Sequence, residues 1–449
     1  MLRRDLEAKT VPRVAVPSES GFGLFRLLFK GVVFVIDCRG FWGQRRFLLE
    51  SPLRALLDLP DAERTERGLE FTPREIAQQP ESWMVTYRRC MDQARGLEAM
   101  LRAAGIGARD GSSQSSSPTV FLVGAGTSDY AGRALAPLLR KRWNCDVWAI
   151  PSTTMITDFD QFHRPGGGYF WISISRSGDS PEGVALLERT LAQRPDIRHL
   201  VITCNARGQM AQLCSRHPGR ALALLLDDAV NDRGLAMTSS FTNMVVAGQC
   251  VANLAELPRF GDVLGQIGDA GEQFLRLAAD TAATITTLGC TRACFIGSET
   301  LRAVADESAL KVVELTAGRV TTLAESALGL RHGPMSSLDG QTVLVAYVSN
   351  DPRRRNYERD LLDEICRKRL GRVRVVVTAG QSDAFALLAD YALQLNCPAD
   401  FPDEYRPVLD VMLGQLLGLF ASLRCGLKPD QPSPNGAITR VVSPIQTYS

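Results

Sequence analysis

Two short stretches gather hydroxyl groups in a way that a simple turn would not need. In "SISRSGDSPEG", residues 173–183, Ser175, Ser177 and Ser180 fall within six positions, with Gly178 among them and Pro181 just after. In "GAGTSDY", residues 124–130, Gly126 leads into Thr127 and Ser128. Serine and threonine hydroxyls are compact donors, and glycine lets a backbone approach a ligand closely. Where such a loop opens a helix, free N–H groups and the positive end of the helix dipole favour an anion. Either loop alone reads equally well as N-caps and turn residues. Two of them at matching positions of neighbouring βα units point to a phosphate. A nucleotide fits less well, because "GAGTSDYAG" lacks the third glycine of the dinucleotide fingerprint and no Walker lysine follows either loop. The pocket suits a monophosphate.

The loops can act together only if strands and helices bring them side by side. Apolar runs at "TVFLVGAG", "GYFWISIS", "RHLVITCN" and "ALALLLDD" lack polar alternation, and helix-length segments follow the first two. That pattern indicates an α/β fold whose parallel sheet is covered on both faces, with ligands bound beyond the strands' carboxyl ends. The order then repeats, with "ACFIGSETL", "TVLVAYVSND" and "VRVVVTAG" answering the first, second and third runs. Pairing Gly124 with Gly297, Ser175 with Ser349 and Thr203 with Thr378 gives offsets of 173, 174 and 175 residues. Two copies of one module are expected. The second keeps the strands but carries "GSET" and "VSNDPRRR" in place of the hydroxyls, so a different role is expected for it.

The expected organisation is an N-terminal extension without ordered structure (1–52), N-terminal helices (53–110), a first module (111–260), a second (270–430) and a tail (431–449). Within the helices, "FTPREIAQQPESW" offers Thr72 as N-cap, Pro73 at the first helical position and Glu75 as capping-box partner. "GSSQSSSP", 111–118, reads as a surface loop.

Composition narrows the function classes. At 449 residues the chain exceeds what a single core holds. Its 45% hydrophobic and 22% charged residues are ordinary for a globular protein, and a net charge of +2 without a basic–aromatic cluster speaks against nucleic acid. Eleven scattered cysteines read as free thiols in a reducing cytoplasm, and their spacing sets up no zinc site. The apolar stretch "GLFRLLFKGVVFVIDC" is interrupted by Arg26 and Lys30 and falls short of a membrane span.

These features together resemble the sugar isomerase (SIS) domain family, whose relatives include the isomerase half of glucosamine-6-phosphate synthase. The resemblance implies two tandem SIS modules, each a doubly wound, mostly parallel five-stranded sheet with helices on both faces. It implies sugar-phosphate contacts from Gly126, Thr127, Ser128, Ser175, Arg176, Ser177 and Ser180. In the second module, "ALKVVELTAGRVTTLAESALGLRHGP" is similar to the family's Ala-Leu-Lys-x-x-Glu helix and His-Gly-Pro turn. By that match Glu314 is the base that moves a proton between C2 and C1, and Lys311, one turn earlier, supports it. His332, which the family takes from the neighbouring subunit, opens the sugar ring. Residues alone would leave Lys311 and Glu314 as a surface pair and His332 as a turn residue. The runs "TPREIAQQPESW", "NDRGLAMTSSFTNM", "AESALGLRHGPMSSL" and "VSNDPRRRNYERDLL" look like the galactosamine-6-phosphate deaminase/isomerase branch, from about residue 53 onward. That match adds Thr238 to the substrate contacts. The tail supplies Arg440 where the synthase has a lysine, and arginine can serve neither as base nor as imine partner.

The resemblance implies a cytoplasmic, cofactor-free homo-oligomer that acts on an amino-sugar 6-phosphate and releases ammonia. Enolisation beside a carbonyl needs a positioned base and polar donors rather than a metal. Two alternatives stand beside it: an aldose–ketose phosphate isomerase that releases no nitrogen, and a non-catalytic sugar-phosphate sensor. The N-terminal helices carry no basic recognition helix of the kind a sensor would attach.

Overall fold

Apolar residues at nearly every strand position need cover on both faces, and the chain supplies it by stacking helices between two sheets. The computed structural model describes residues 25–29, 32–36, 51–107, 117–162, 168–380, 383–443 and 445–446. The chain divides into two units, Met1–Phe47 and Leu48–Ser449. In the first, strands β1 (Phe25–Phe29) and β2 (Val32–Ile36) pair antiparallel. The remainder of residues 1–50, and all but the end of the 111–118 loop, lie outside the described residues.

In the second unit the first sheet contains β3 (Thr119–Gly124), β4 (Val147–Pro151), β5 (Tyr169–Ser175), β6 (Arg198–Thr203) and β7 (Ala221–Leu225). Their order is β4-β3-β5-β6-β7, all parallel. The second sheet contains β8 (Arg292–Gly297), β9 (Thr321–Ser326), β10 (Thr342–Tyr347), β11 (Val373–Ala379) and β12 (Tyr391–Leu395). Its order is β12-β11-β10-β8-β9, again all parallel. Counted from its own first strand, each sheet reads 2-1-3-4-5, so the repeat seen in sequence is a repeat of topology.

Successive side chains in these strands alternate between two dry environments. Phe170 and Ile172 of β5 enter a core shared by both modules, while Tyr169 and Trp171 enter a separate outer cluster. In β10, Val343 and Val345 face the shared core, and Leu344 and Ala346 face an outer one. The helices Thr127–Trp143 and Ser239–Ala252 pack on Thr300–Leu315 and Pro407–Arg424 between the sheets. The interval 261–269, left unassigned between the modules by sequence, is the middle of one continuous helix, Leu257–Thr286. Among the described residues one helix, Pro407–Arg424, is long and apolar enough to cross a membrane, and 83% of it is buried here. Apolar on all sides, it serves as a core helix. Gly414 and Gly418 let it approach closely: an added Cβ would lie 2.3 Å from Ser308 Oγ or 2.9 Å from the Lys311 carbonyl.

Five short helices, Pro52–Leu57, Asp61–Arg67, Thr72–Ala77, Gln79–Asp92 and Ala94–Ala103, precede the first sheet. The capping box expected at Thr72–Glu75 does not form. Thr72 is already the first helical residue, and Asp430 receives its N–H and its hydroxyl, both at 2.7 Å. Glu75 turns instead to the backbone of residues 233 and 234. A carboxylate from 358 residues away has replaced the local cap.

Candidate active site

Strands β3 and β5 are neighbours, with β4 outside β3, so the order of the first sheet reverses between them. Both hydroxyl loops leave from this switch point, where the crevice beyond parallel strands takes ligands. After β3, Gly126 adopts φ 54°, ψ −125°, a conformation open to glycine, and the helix Thr127–Trp143 starts at once. After β5, Ser175 Oγ accepts from Gly178 N at 3.1 Å and Ser177 Oγ accepts from Asp179 N at 3.2 Å. Ser180 precedes the helix Pro181–Gln193 without capping it through its side chain. A third loop braces the second: Asn205 Nδ2 donates to Ser177 O at 2.8 Å, and Thr203 Oγ1 donates to Arg176 O at 3.3 Å. The Ser128 and Ser180 hydroxyls make no hydrogen bond among the described residues, so both are available as donors.

Thr127 is used differently. Its hydroxyl accepts from Lys311 Nζ at 3.0 Å and donates to Glu307 Oε1 at 3.2 Å. The first-module turn is thereby joined to the second-module helix Thr300–Leu315. Lys311 is fully buried and reaches Glu314 Oε2 at 2.5 Å and Glu307 Oε1 at 3.4 Å. Glu307, Lys311 and Glu314 are four and three residues apart, which puts them on one helix face. Burial pushes the Glu307 carboxyl up to about 8, against the pull of Lys311 and the Thr127 hydrogen bond. Burial alone would lower the Lys311 ammonium, but Glu307 and Glu314 outweigh it and hold its pKa above the ordinary lysine value. One carboxylate charge is enough to neutralise the ammonium, so Glu307 is the member that keeps a proton. The Glu314 side chain is 22% exposed and is the one of the three that faces outward. Sequence reading missed Glu307, although its spacing to Lys311 and Glu314 was there to be seen.

The remaining expected residues divide. Arg176 is buried; it donates through Nη2 to Arg440 O at 2.5 Å and through Nη1 to Leu235 O at 3.5 Å. The Arg440 guanidinium points to carbonyls, Asp232 O at 2.7 Å and Asn231 O at 3.1 Å, so its backbone rather than its charge meets Arg176. Thr238 is fully buried, and its N–H and hydroxyl both donate to Asp232, which also receives Ser239 and Ser240. The Asp232 carboxylate, not the Thr238 hydroxyl, caps the helix Ser239–Ala252, accepting from Ser239 N and Ser240 N. His332 lies in an exposed turn after β9, beside Arg331, which pairs with Glu364. Among the described residues no hydrogen bond or ion pair joins His332 to Lys311 or Glu314.

In the second module the equivalent switch point is already filled by the protein. Glu299 repeats the Gly126 backbone at φ 57°, ψ −120°, and its carboxylate accepts from Thr300 N at 2.8 Å. Ser349 N donates to Glu358 Oε2 at 2.8 Å, and Asn350 N donates to Asp403 Oδ1 at 2.9 Å. Carboxylates sit where the first module leaves room for an anion. Among the described residues no group of three or more His, Cys, Asp or Glu side chains is placed to hold a metal.

No family model matches the chain. A Streptomyces coelicolor protein provisionally named a D-galactosamine-6-phosphate deaminase is 39% identical over 380 residues, 84% of this chain and 95% of the relative. The Escherichia coli protein named D-galactosamine-6-phosphate deaminase is 33% identical over 381 residues, 84% of this chain and 94% of its own. The chain belongs to the D-galactosamine-6-phosphate deaminase family. As a member of that family it is also similar to the solved structure of tagatose-6-phosphate ketose/aldose isomerase from Escherichia coli. The two share 31% identity at a TM-score of 0.74, over 80% of this chain and 94% of the other. The C-terminal domain of glucosamine-fructose-6-phosphate aminotransferase from Francisella tularensis, 19% identical at a TM-score of 0.64, shares the fold. The tandem SIS architecture is therefore that of the deaminase family and of phosphosugar isomerases at large.

Proposed function

We propose that this chain is an enzyme that converts D-galactosamine 6-phosphate and water to D-tagatose 6-phosphate and ammonia. The observation that carries the reading is the Thr127 bridge, which joins a phosphate-type turn to the Lys311–Glu314 pair. The substrate phosphate would lie on the Ser128 and Ser175–Ser180 loops. His332, completing the site of a second copy in a homodimer, would assist ring opening to the C1 aldehyde. Glu314 would remove the C2 proton and return it to C1, so that the double bond moves from C1–O to C2–N. Water adds to the C2 imine, the C2–N bond breaks, and ammonia leaves behind a C2 ketone. Lys311, paired with Glu314, would hold that side chain in place through both proton transfers. The relatives' names support the galacto substrate, and the same reading makes the enzyme cytoplasmic and cofactor-free.

The isomerase name of the Escherichia coli structure favours one second reading, aldose–ketose exchange by the same base without loss of nitrogen. Ammonia release from D-galactosamine 6-phosphate and D-glucosamine 6-phosphate separates the two. Glu314→Gln should lower the release rate by about 10²–10⁴-fold with substrate affinity retained. A wild-type protein that interconverts tagatose 6-phosphate with its aldose but frees no ammonia would move the assignment to the isomerase. A Glu314→Gln enzyme near wild-type rate would remove Glu314 from the mechanism.

A further inference from the structure

The loop Asn231–Leu235 is polarised across its width. The Arg233 N–H and the Asp232 carbonyl belong to one trans peptide and point in opposite directions. Glu75 Oε1 accepts the N–H at 2.5 Å, and Arg440 Nε donates to the carbonyl at 2.7 Å. A carboxylate and a guanidinium thus sit at the two ends of a single peptide dipole. The next peptides continue the pattern. Gly234 N also donates to Glu75 Oε1, at 3.2 Å, and Leu235 N donates to Asp430 O at 3.0 Å, while Leu235 O faces Arg176. The N–H edge of the loop faces the N-terminal helices, and the carbonyl edge faces the two arginines.

We propose that Glu75 is a positioning residue: through peptide 232–233 it anchors Arg440, and through the Arg440 carbonyl it sets the Arg176 guanidinium behind the Ser175–Ser180 loop. Dipoles aligned in series between opposite charges strengthen one another, and low local dielectric enlarges the effect. Glu75 is 6% exposed, and its Oε2 is buried without a hydrogen-bond partner. Burial first, then the nearby Asp232 charge, pushes the Glu75 carboxyl up to about 8, and the two N–H groups oppose them. Asp430 and the Thr72 hydroxyl complete its surroundings on the helix side, and Arg176 and Arg440 on the other. Its charge state therefore changes within the range where such an enzyme works. The identity of the substrate rests on the function proposed above, whereas the coupling does not.

The test is a double-mutant cycle read as ammonia release from D-galactosamine 6-phosphate and, in parallel, as calorimetric Kd for inorganic phosphate. At about pH 9, where Glu75 is ionised, Glu75→Gln and Arg440→Ala should each raise KM and phosphate Kd about tenfold, with kcat within about twofold. The double variant should be no worse than Arg440→Ala alone. Fold-changes that multiply would show that Glu75 acts independently of Arg440 and would overturn the proposal. Should Glu75→Gln fail to fold, the wild type and Arg440→Ala suffice. The ratio of their KM values cancels the substrate's own ionisations, and the wild-type advantage should grow between about pH 7 and pH 9 as Glu75 ionises. A flat ratio overturns the proposal. If the wild type frees no ammonia, the substrate assignment fails, and the phosphate cycle still decides the coupling.

Discussion

Lys311 is an ammonium with no access to water, and the two carboxylates beside it divide its influence unequally. Glu307 lies deeper and retains a proton, while the Glu314 side chain is partly open to solvent. A different buried group marks the outer side of the first sheet. His199 of β6 is fully buried, neither ring nitrogen has a hydrogen-bond partner, and its ring meets Trp171 edge-on at 5.7 Å. Burial, with the nearby Arg220 and Arg198 charges, lowers its pKa to about 3. An unfolded chain takes up that proton near 6.5, the ordinary histidine value, whereas the folded one resists until about 3. Stability from this position is complete above about pH 6.5 and falls on acidification, by on the order of 5 kcal/mol across the whole window. Glu75 and Glu307 act oppositely, since their raised pKa values erode stability as pH rises from 4.5 towards 8. The measurement is therefore a difference. The Tm of His199→Leu should fall less steeply than that of the wild type between about pH 6.5 and 4. Parallel slopes would mean that His199 already finds a proton partner in the folded state.

At the scale of elements, the two βα turns at Gly126 and Glu299 have one backbone shape and opposite contents. A glutamate at φ 57° is strained by about 1–3 kcal/mol. Its hydrogen bond to Thr300 N returns part of that, and glycine as a cap loses only a few tenths of a kcal/mol. Glu299→Gly should therefore raise stability by about 1 kcal/mol, seen as a higher Tm. A lower Tm would show that its contacts with Thr300 and Arg140 outweigh the strain. The turn pair also shows what sequence makes legible. Buried central strands are continuous apolar runs, so β3, β5, β6, β8, β10 and β11 could be read and aligned by their offsets. Strands β4, β9 and β12 lie at sheet edges and escaped notice, β4 because it is short and partly exposed, β9 and β12 because they also carry polar residues. Thr72 and Glu75 spell a local cap, but no local pattern reveals that Asp430 will displace it. The bond of Thr238 to Asp232 was hidden for the same reason, because that partner is visible only once the loop is folded.

At the scale of the whole molecule, no hydrogen bond or ion pair among the described residues joins His332 to Glu314 within one chain, and the proposed function has them meet across a dimer. Glu314→Gln and His332→Gln homodimers would then carry a defect in every site. A mixed dimer would pair both defects in one site and leave the other intact. Co-expression with random pairing should recover about a quarter of wild-type activity. Purified mixed dimers as inactive as either parent would place both residues in the same chain. The shared core has a further bearing on motion. Both sheets send side chains into one apolar cluster, and the helix Leu257–Thr286 runs unbroken between the modules. Swinging the modules apart would wet that cluster at about 25 cal/mol for each Å² exposed, so the shared core opposes a hinge between them. The tail residue Arg440 is tied to both sides of this arrangement, since its guanidinium holds the Asn231–Leu235 loop and its carbonyl holds the buried Arg176, so any displacement of the tail reaches the Ser175–Ser180 loop.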